Sequence, residues 1–130
     1  MYRQRTRQNV LSTHNAKHPV WKQQLIEIPP PMRRQIGYRV PVRLSLRACK
    51  LLAAQIEESQ APDDPLWDLL YETRIAISNA HSSALSVQCY VTIGKKLVSF
   101  WACLDTNCET AIHIITAQEY EHQAVSRSYL

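Results

Sequence analysis

Hydrophobic and polar positions alternate with two different periods along this chain, and the change of period divides it. From Ser83 the pattern has period two: Leu85, Val87, Cys89, Val91 and Ile93 alternate with Ser86, Gln88, Tyr90 and Thr92, which predicts a half-buried strand. Gly94 and Lys95 then read as a tight hairpin, glycine supplying the positive φ of a two-residue turn. Leu97 to Leu104 is apolar at nearly every position, as expected of a central strand, and Ala111 to Thr116 returns as a third after the turn formers Asp105, Thr106 and Asn107. The back half is thus expected to be an antiparallel meander. From Gln118 onward the chain is polar and is expected to fray.

Upstream the period is 3.6. Cys49, Leu52, Ala53 and Ile56 form one stripe and predict a helix over Leu46 to Glu58 with Ser45 as its N-cap. Asp64 followed by Pro65 is a helix start, since proline costs nothing where the amide is unpaired anyway. That second helix places Leu66, Leu69, Leu70, Thr73 and Ile77 on one face and the acids Asp68 and Glu72 on the outside. Earlier still, Tyr38 to Leu44 alternates like a strand, and Pro41 assigns it to a sheet edge, open to pairing with a second copy but guarded against it by Arg39, Pro41 and Arg43. Before it, Trp21, Leu25, Ile26 and Ile28 are apolar anchors. Pro29, Pro30 and Pro31 stop that segment as a rigid extended spacer, and Pro31 also pre-sets a short helix through Met32 to Ile36, ended by Gly37 in a left-handed cap. The expected fold is α+β: two helices packed on one face of an antiparallel sheet with a C-terminal three-stranded meander. Residues 1–19 lack periodicity and read as a flexible basic arm, 20–120 as one domain and 121–130 as a polar tail.

Charge changes this picture. Residues 1–50 hold eleven Lys and Arg against the single acid Glu27, whereas 51–130 hold four basic residues against ten acids, so a net charge of +4 conceals a dipolar chain. A basic front attracts phosphate or acidic protein surfaces over roughly a Debye length. Arg3, Arg5, Arg7, Arg33 and Arg34 are the residues expected to make such contacts, with Tyr2, Trp21 and Tyr38 beside Arg39 suited to base stacking. Two glycines exclude the P-loop and the dinucleotide fingerprint. Cys49, Cys89, Cys103 and Cys108 form no CxxC pair, which favours a reducing cytoplasm, and no apolar run is long enough to span a bilayer.

Catalytic and metal chemistry have competing structural explanations. His14 and His18 have helical ligand spacing, but Pro19 argues against a helix there, and solvated side chains suffice. Cys103 and Cys108 flank a turn and are placed for a redox bridge, with ordinary thiols as the simpler account. His113, between Ile112 and Ile114, is expected to be a partly exposed strand residue; His81 is the other candidate base. Asp64 has a cap to make, Asp68 favours the positive end of a helix dipole, and Trp67 and Trp101 are expected in the core.

The runs GYRVPVRLSLRACKLL, PLWDLLYETRIAI and TAIHIITAQEY together resemble a family of small bacterial proteins of unknown function found often on plasmids and other mobile elements. Leu25 and Ile26, Pro41 and Val42, Leu44 and Ser45, Leu66 to Asp68, and Ile112 to Ile115 occupy the matching places over roughly residues 25–120. The basic arm and the triple proline depart from that pattern. The resemblance implies an architecture and a setting in mobile DNA, with no catalytic residue or cofactor to carry over. The function expected from residues and resemblance together is a non-enzymatic, cytoplasmic binding protein, monomer or homodimer, whose basic front engages nucleic acid or a nucleoprotein complex. The alternative expectation is an anti-defence inhibitor that meets a basic host protein through the acidic face of Asp68 and Glu72. A small enzyme is the third, and it would need His113 or His81 to meet a cysteine or carboxylate.

Overall fold

In the computed structural model, which describes residues 24–58, 64–93 and 95–128, strands β1 (Leu25–Glu27), β2 (Val42–Ser45), β3 (Ser86–Ile93), β4 (Lys96–Asp105) and β5 (Ala111–Thr116) form one sheet in the order β1-β2-β5-β4-β3. The helices are α1 (Pro30–Ile36), α2 (Leu46–Glu58), α3 (Pro65–Asn79) and α4 (Ala117–Ser128). The class is α+β, as expected, and β3, β4 and β5 make the expected antiparallel meander. The sheet as a whole is mixed, which corrects the antiparallel expectation: β2 lies parallel to β5, with Val42 opposite Ile112 and Leu44 opposite Ile114.

The start signals form as expected. Asp64 Oδ1 accepts from the amides of Leu66 and Trp67 at 3.1 and 3.3 Å, with Pro65 at the first turn. Ser45 Oγ accepts from the Ala48 amide at 3.1 Å. Gly37 closes α1 at φ 116°, its amide reaching the carbonyls of Arg33 and Arg34. Below these caps the apolar faces meet. Ala48 and Leu52 of α2 and Leu69 and Leu70 of α3 bury against Val42, Leu44, Cys89, Val91, Phe100, Ala102 and Ile114, so α2 and α3 share one sheet face. Trp67 is partly buried against this core.

Three expectations fail for physical reasons. Tyr38 to Pro41 does not extend the strand, because the Tyr38 ring turns inward and its hydroxyl donates to the Leu70 carbonyl at 2.6 Å, while β2 begins only after Pro41. Nor is β2 an edge. It is hydrogen-bonded on both sides, by β1 and β5, so self-pairing through Tyr38 to Leu44 is closed off. The tail expected to fray from Gln118 is instead the helix α4, which packs on the second sheet face. There Tyr120 stacks on Trp101 with centroids 3.8 Å apart and 5° between planes, and Ile115 is fully buried. Trp101 is thus half-buried under α4 and not in the main core.

Candidate functional site

Helix α1 is only seven residues long, so its last turn, its glycine cap and the chain leaving it lie close together. The positive φ of Gly37 reverses the backbone, and Tyr38 N donates to the Arg33 carbonyl at 2.9 Å, which locks the reversal. Arg33 and Arg34 from the last turn are thereby brought beside Arg39. Helix α3 contributes a fourth guanidinium, since α1 packs on α3 and Arg74 lies across Gly37. A Cβ at position 37 would stand 2.5 Å from Arg74 Nε and 3.1 Å from its Cζ, so the absence of a side chain is what lets Arg74 approach.

The result is an open hollow of about 690 Å³ lined by Arg33, Arg34, Gly37, Tyr38, Arg39 and Arg74. No carboxylate among the described residues pairs with any of these four arginines. Arg33 Nε is buried without a hydrogen-bond partner among those residues. Arg43 shows the opposite arrangement. Burial works against its charged form, but Glu109 and Glu27 outweigh that and hold its guanidinium above the ordinary value; Nε sits 3.1 Å from Glu27, and Nη2 binds Glu109. Arg43 is spent on internal ion pairs, and among the described residues the hollow's arginines are not.

Four like charges converging with no paired carboxylate among the described residues repel one another, and an anion relieves that repulsion. A guanidinium fork matches the oxygens of phosphate or carboxylate bidentately. The lining consists of guanidiniums, backbone and one aromatic ring, a set suited to holding an anion. Tyr38 is the ring that forms a wall, its hydroxyl turned away into the protein, where burial pushes its pKa up.

Of the residues expected to make contacts, Arg33 and Arg34 meet here, and Arg3, Arg5 and Arg7 lie outside the described residues, as do Tyr2, His14, His18, Trp21 and Gly94. Arg74 is concealed in the sequence because it belongs to the acidic half of the chain; its signal is its position, four residues after Leu70 on the helix that covers α1. On that helix Glu72 is exposed and Asp68 half-buried. His81 is exposed and bound within its own turn, Nδ1 lying 2.7 Å from Ser83 Oγ. His113 is buried, 3% exposed, contrary to expectation, because it stands in the middle of the sheet on the face that α4 covers. Its Nδ1 lies 3.6 Å from Asp105 Oδ2. All four cysteines are present as thiols, Cys103 half-buried and Cys108 exposed, so the turn between those two carries no disulfide. Among the described residues no group of three His, Cys, Asp or Glu is arranged to hold a metal, and no helix is long and apolar enough to cross a membrane.

No protein-family model, curated protein or solved structure matches this chain.

Proposed function

We propose that this protein is a non-enzymatic binding protein that grips nucleic acid by its phosphates, with Arg33, Arg34, Arg39 and Arg74 as the folded grip and Arg3, Arg5 and Arg7 adding to it. The observation that carries this reading is the convergence of four guanidiniums in one hollow with no carboxylate of the described residues paired to them. A protein has no stability reason to gather like charges, whereas a polyanion releases its counter-ions on meeting them. The resemblance to small plasmid and mobile-element proteins supplies the setting, a cytoplasmic accessory factor acting on nucleic acid or a nucleoprotein complex.

The test is binding of labelled single- and double-stranded DNA and RNA across a salt series, with Arg33→Gln/Arg34→Gln compared with the parent chain. Each phosphate that is no longer neutralised flattens the slope of log K against log salt by about 0.9 on duplex DNA and about 0.7 on single strands. The double substitution is therefore expected to reduce the slope by roughly 1.5 to 2 on a duplex. Absence of binding at low salt refutes the proposal. Binding that survives the substitution unchanged removes the hollow from the interface and assigns the contacts to Arg3, Arg5 and Arg7.

A further inference from the structure

On the sheet face opposite the main core, five side chains stand in one row across all five strands. Glu27 of β1 is registered with Arg43 of β2, Arg43 with His113 of β5, His113 with Cys103 of β4, and Cys103 with Ser86 of β3. Residues directly opposite in an antiparallel pair have Cβ atoms about 4.5 to 5.5 Å apart on the same face, which sets the Cys103 and His113 side chains next to each other there. Asp105, two residues along β4, lies with Oδ2 3.6 Å from His113 Nδ1. A thiol, an imidazole and a carboxylate thus follow one another in the order that activates a nucleophile, and the thiol end is only half-buried.

We infer that Cys103 is a reactive thiol, a site of covalent modification by soft electrophiles and peroxides, with His113 as its base and Asp105 positioning the imidazole. The S–H proton passes to the His113 nitrogen not facing Asp105, and the carboxylate favours the imidazolium that forms. With iodoacetamide the thiolate sulfur forms an S–C bond, the C–I bond breaks and iodide leaves. With hydrogen peroxide the sulfur attacks one oxygen and the O–O bond breaks. Hydroxide departs and takes the imidazolium proton as water; the sulfur is oxidised by two electrons to a sulfenic acid and the peroxide is reduced.

The surrounding charges permit this. Arg43 is the cation beside His113, and it is already engaged by Glu27 and Glu109, two carboxylates against one guanidinium. From α4 the side chains on this face include Tyr120, whose hydroxyl lies 3.1 Å from Ser86 Oγ, and the buried carboxylate of Glu119, bound by Ser45 Oγ at 2.6 Å. The other thiols supply contrast. Burial pushes up Cys49 and Cys89, and Cys89 Sγ sits in the core 3.2 Å from Thr73 Oγ1, whereas Cys108 is exposed in the turn after β4.

The experiment is an iodoacetamide pulse on the full chain at about pH 6.5 and about pH 8.5, with labelling at each cysteine read by peptide mass spectrometry. An ordinary thiol loses about tenfold in thiolate for each pH unit below its pKa. Cys103 is therefore expected to label roughly tenfold faster than Cys108 at the lower pH, with the advantage narrowing at the higher. His113→Gln should bring Cys103 down to the rate of Cys108 without changing Cys108, and Asp105→Asn should displace the pH profile of Cys103 upward. Cys103 labelling no faster than Cys108 in the parent protein at the lower pH overturns the inference, independently of whether any variant folds. An unchanged Cys103 rate in a His113→Gln chain that still protects Cys49 and Cys89 overturns it as well.

Discussion

Glu119 ties two helix starts together with one carboxylate. Its Oε1 accepts from Ser45 Oγ at 2.6 Å, from the Thr116 amide at 3.0 Å and from Thr116 Oγ1 at 3.1 Å, while its own amide donates back to Thr116 Oγ1 at 3.2 Å. Thr116 and Glu119 form a reciprocal capping box, and Ser45 is the N-cap of α2. Removing the carboxylate by Glu119→Ala strips a buried hydroxyl and amide of their acceptor at once, and we expect a loss of about 2 to 3 kcal/mol, read from the urea midpoint. Tyr38 makes a prediction that depends on pH. Burial raises its folded pKa above the ordinary 10.0, so above that value the unfolded chain releases a proton that the folded one retains, and stability falls as pH rises. Below about pH 9 the Tyr38→Phe variant should be less stable by about 1 kcal/mol, the value of its bond to the Leu70 carbonyl. Denaturation midpoints taken from about pH 8 to about pH 11 should show that gap closing towards the alkaline end.

At the scale of elements, α2 and α3 are written openly in the chain, because a cap and an apolar stripe are local features and Ser45, Asp64 and Pro65 each act within one turn. Helix α4 is signalled too, by Thr116 three residues before Glu119, but its polar composition reads as a tail when burial is judged by hydrophobicity alone. What holds it to the sheet is an aromatic with a polar end: Tyr120 lays its ring on Trp101 and its hydroxyl against Ser86. Tyr120→Ala should therefore cost about 3 kcal/mol through the removal of ring burial and stacking. That destabilisation should be accompanied by faster amide exchange in α4 and a changed Trp fluorescence, while α2 and α3 remain protected. The Tyr38 segment departs from its alternation for a related reason: period two does not distinguish a strand from a chain in which one tyrosine turns inward to a helix carbonyl.

The whole molecule redistributes the charge that the chain lays out linearly. Arg43 from the basic front is neutralised by Glu27 and Glu109, whereas Arg33, Arg34 and Arg39 are joined by Arg74 from the acidic half. The folded body thus presents a basic hollow of its own beyond residues 1–19. Under the proposed function, a chain lacking residues 1–19 should keep a reduced salt dependence, and adding Arg33→Gln/Arg34→Gln to it should flatten the slope further, the two effects being roughly additive because independent sites add. A slope abolished by the deletion alone would assign the binding to the arm. Among the described strands the open edges of the sheet are β1 and β3, not β2, so an association of two copies through strand pairing would have to use one of those.

The chain alone was enough to specify α2, α3 and the strands of the meander with most of their starts, because caps, prolines and hydrophobic periods act over a few residues. It also carried the α+β class, because helical stripes over 46–58 and 65–79 give way to period-two alternation from Ser83. Only the tertiary structure decided that β2 runs beside β5, that the polar tail covers a sheet face, and that Arg74 reaches Gly37. Those facts depend on which strands become neighbours. The partners β2 and β5 lie more than sixty residues apart, as the pair Leu44 and Ile114 shows, and no local pattern encodes that choice. The row from Glu27 to Ser86 has the same origin: Cys103 and His113 are ten residues apart in the chain and become partners through the register of a sheet.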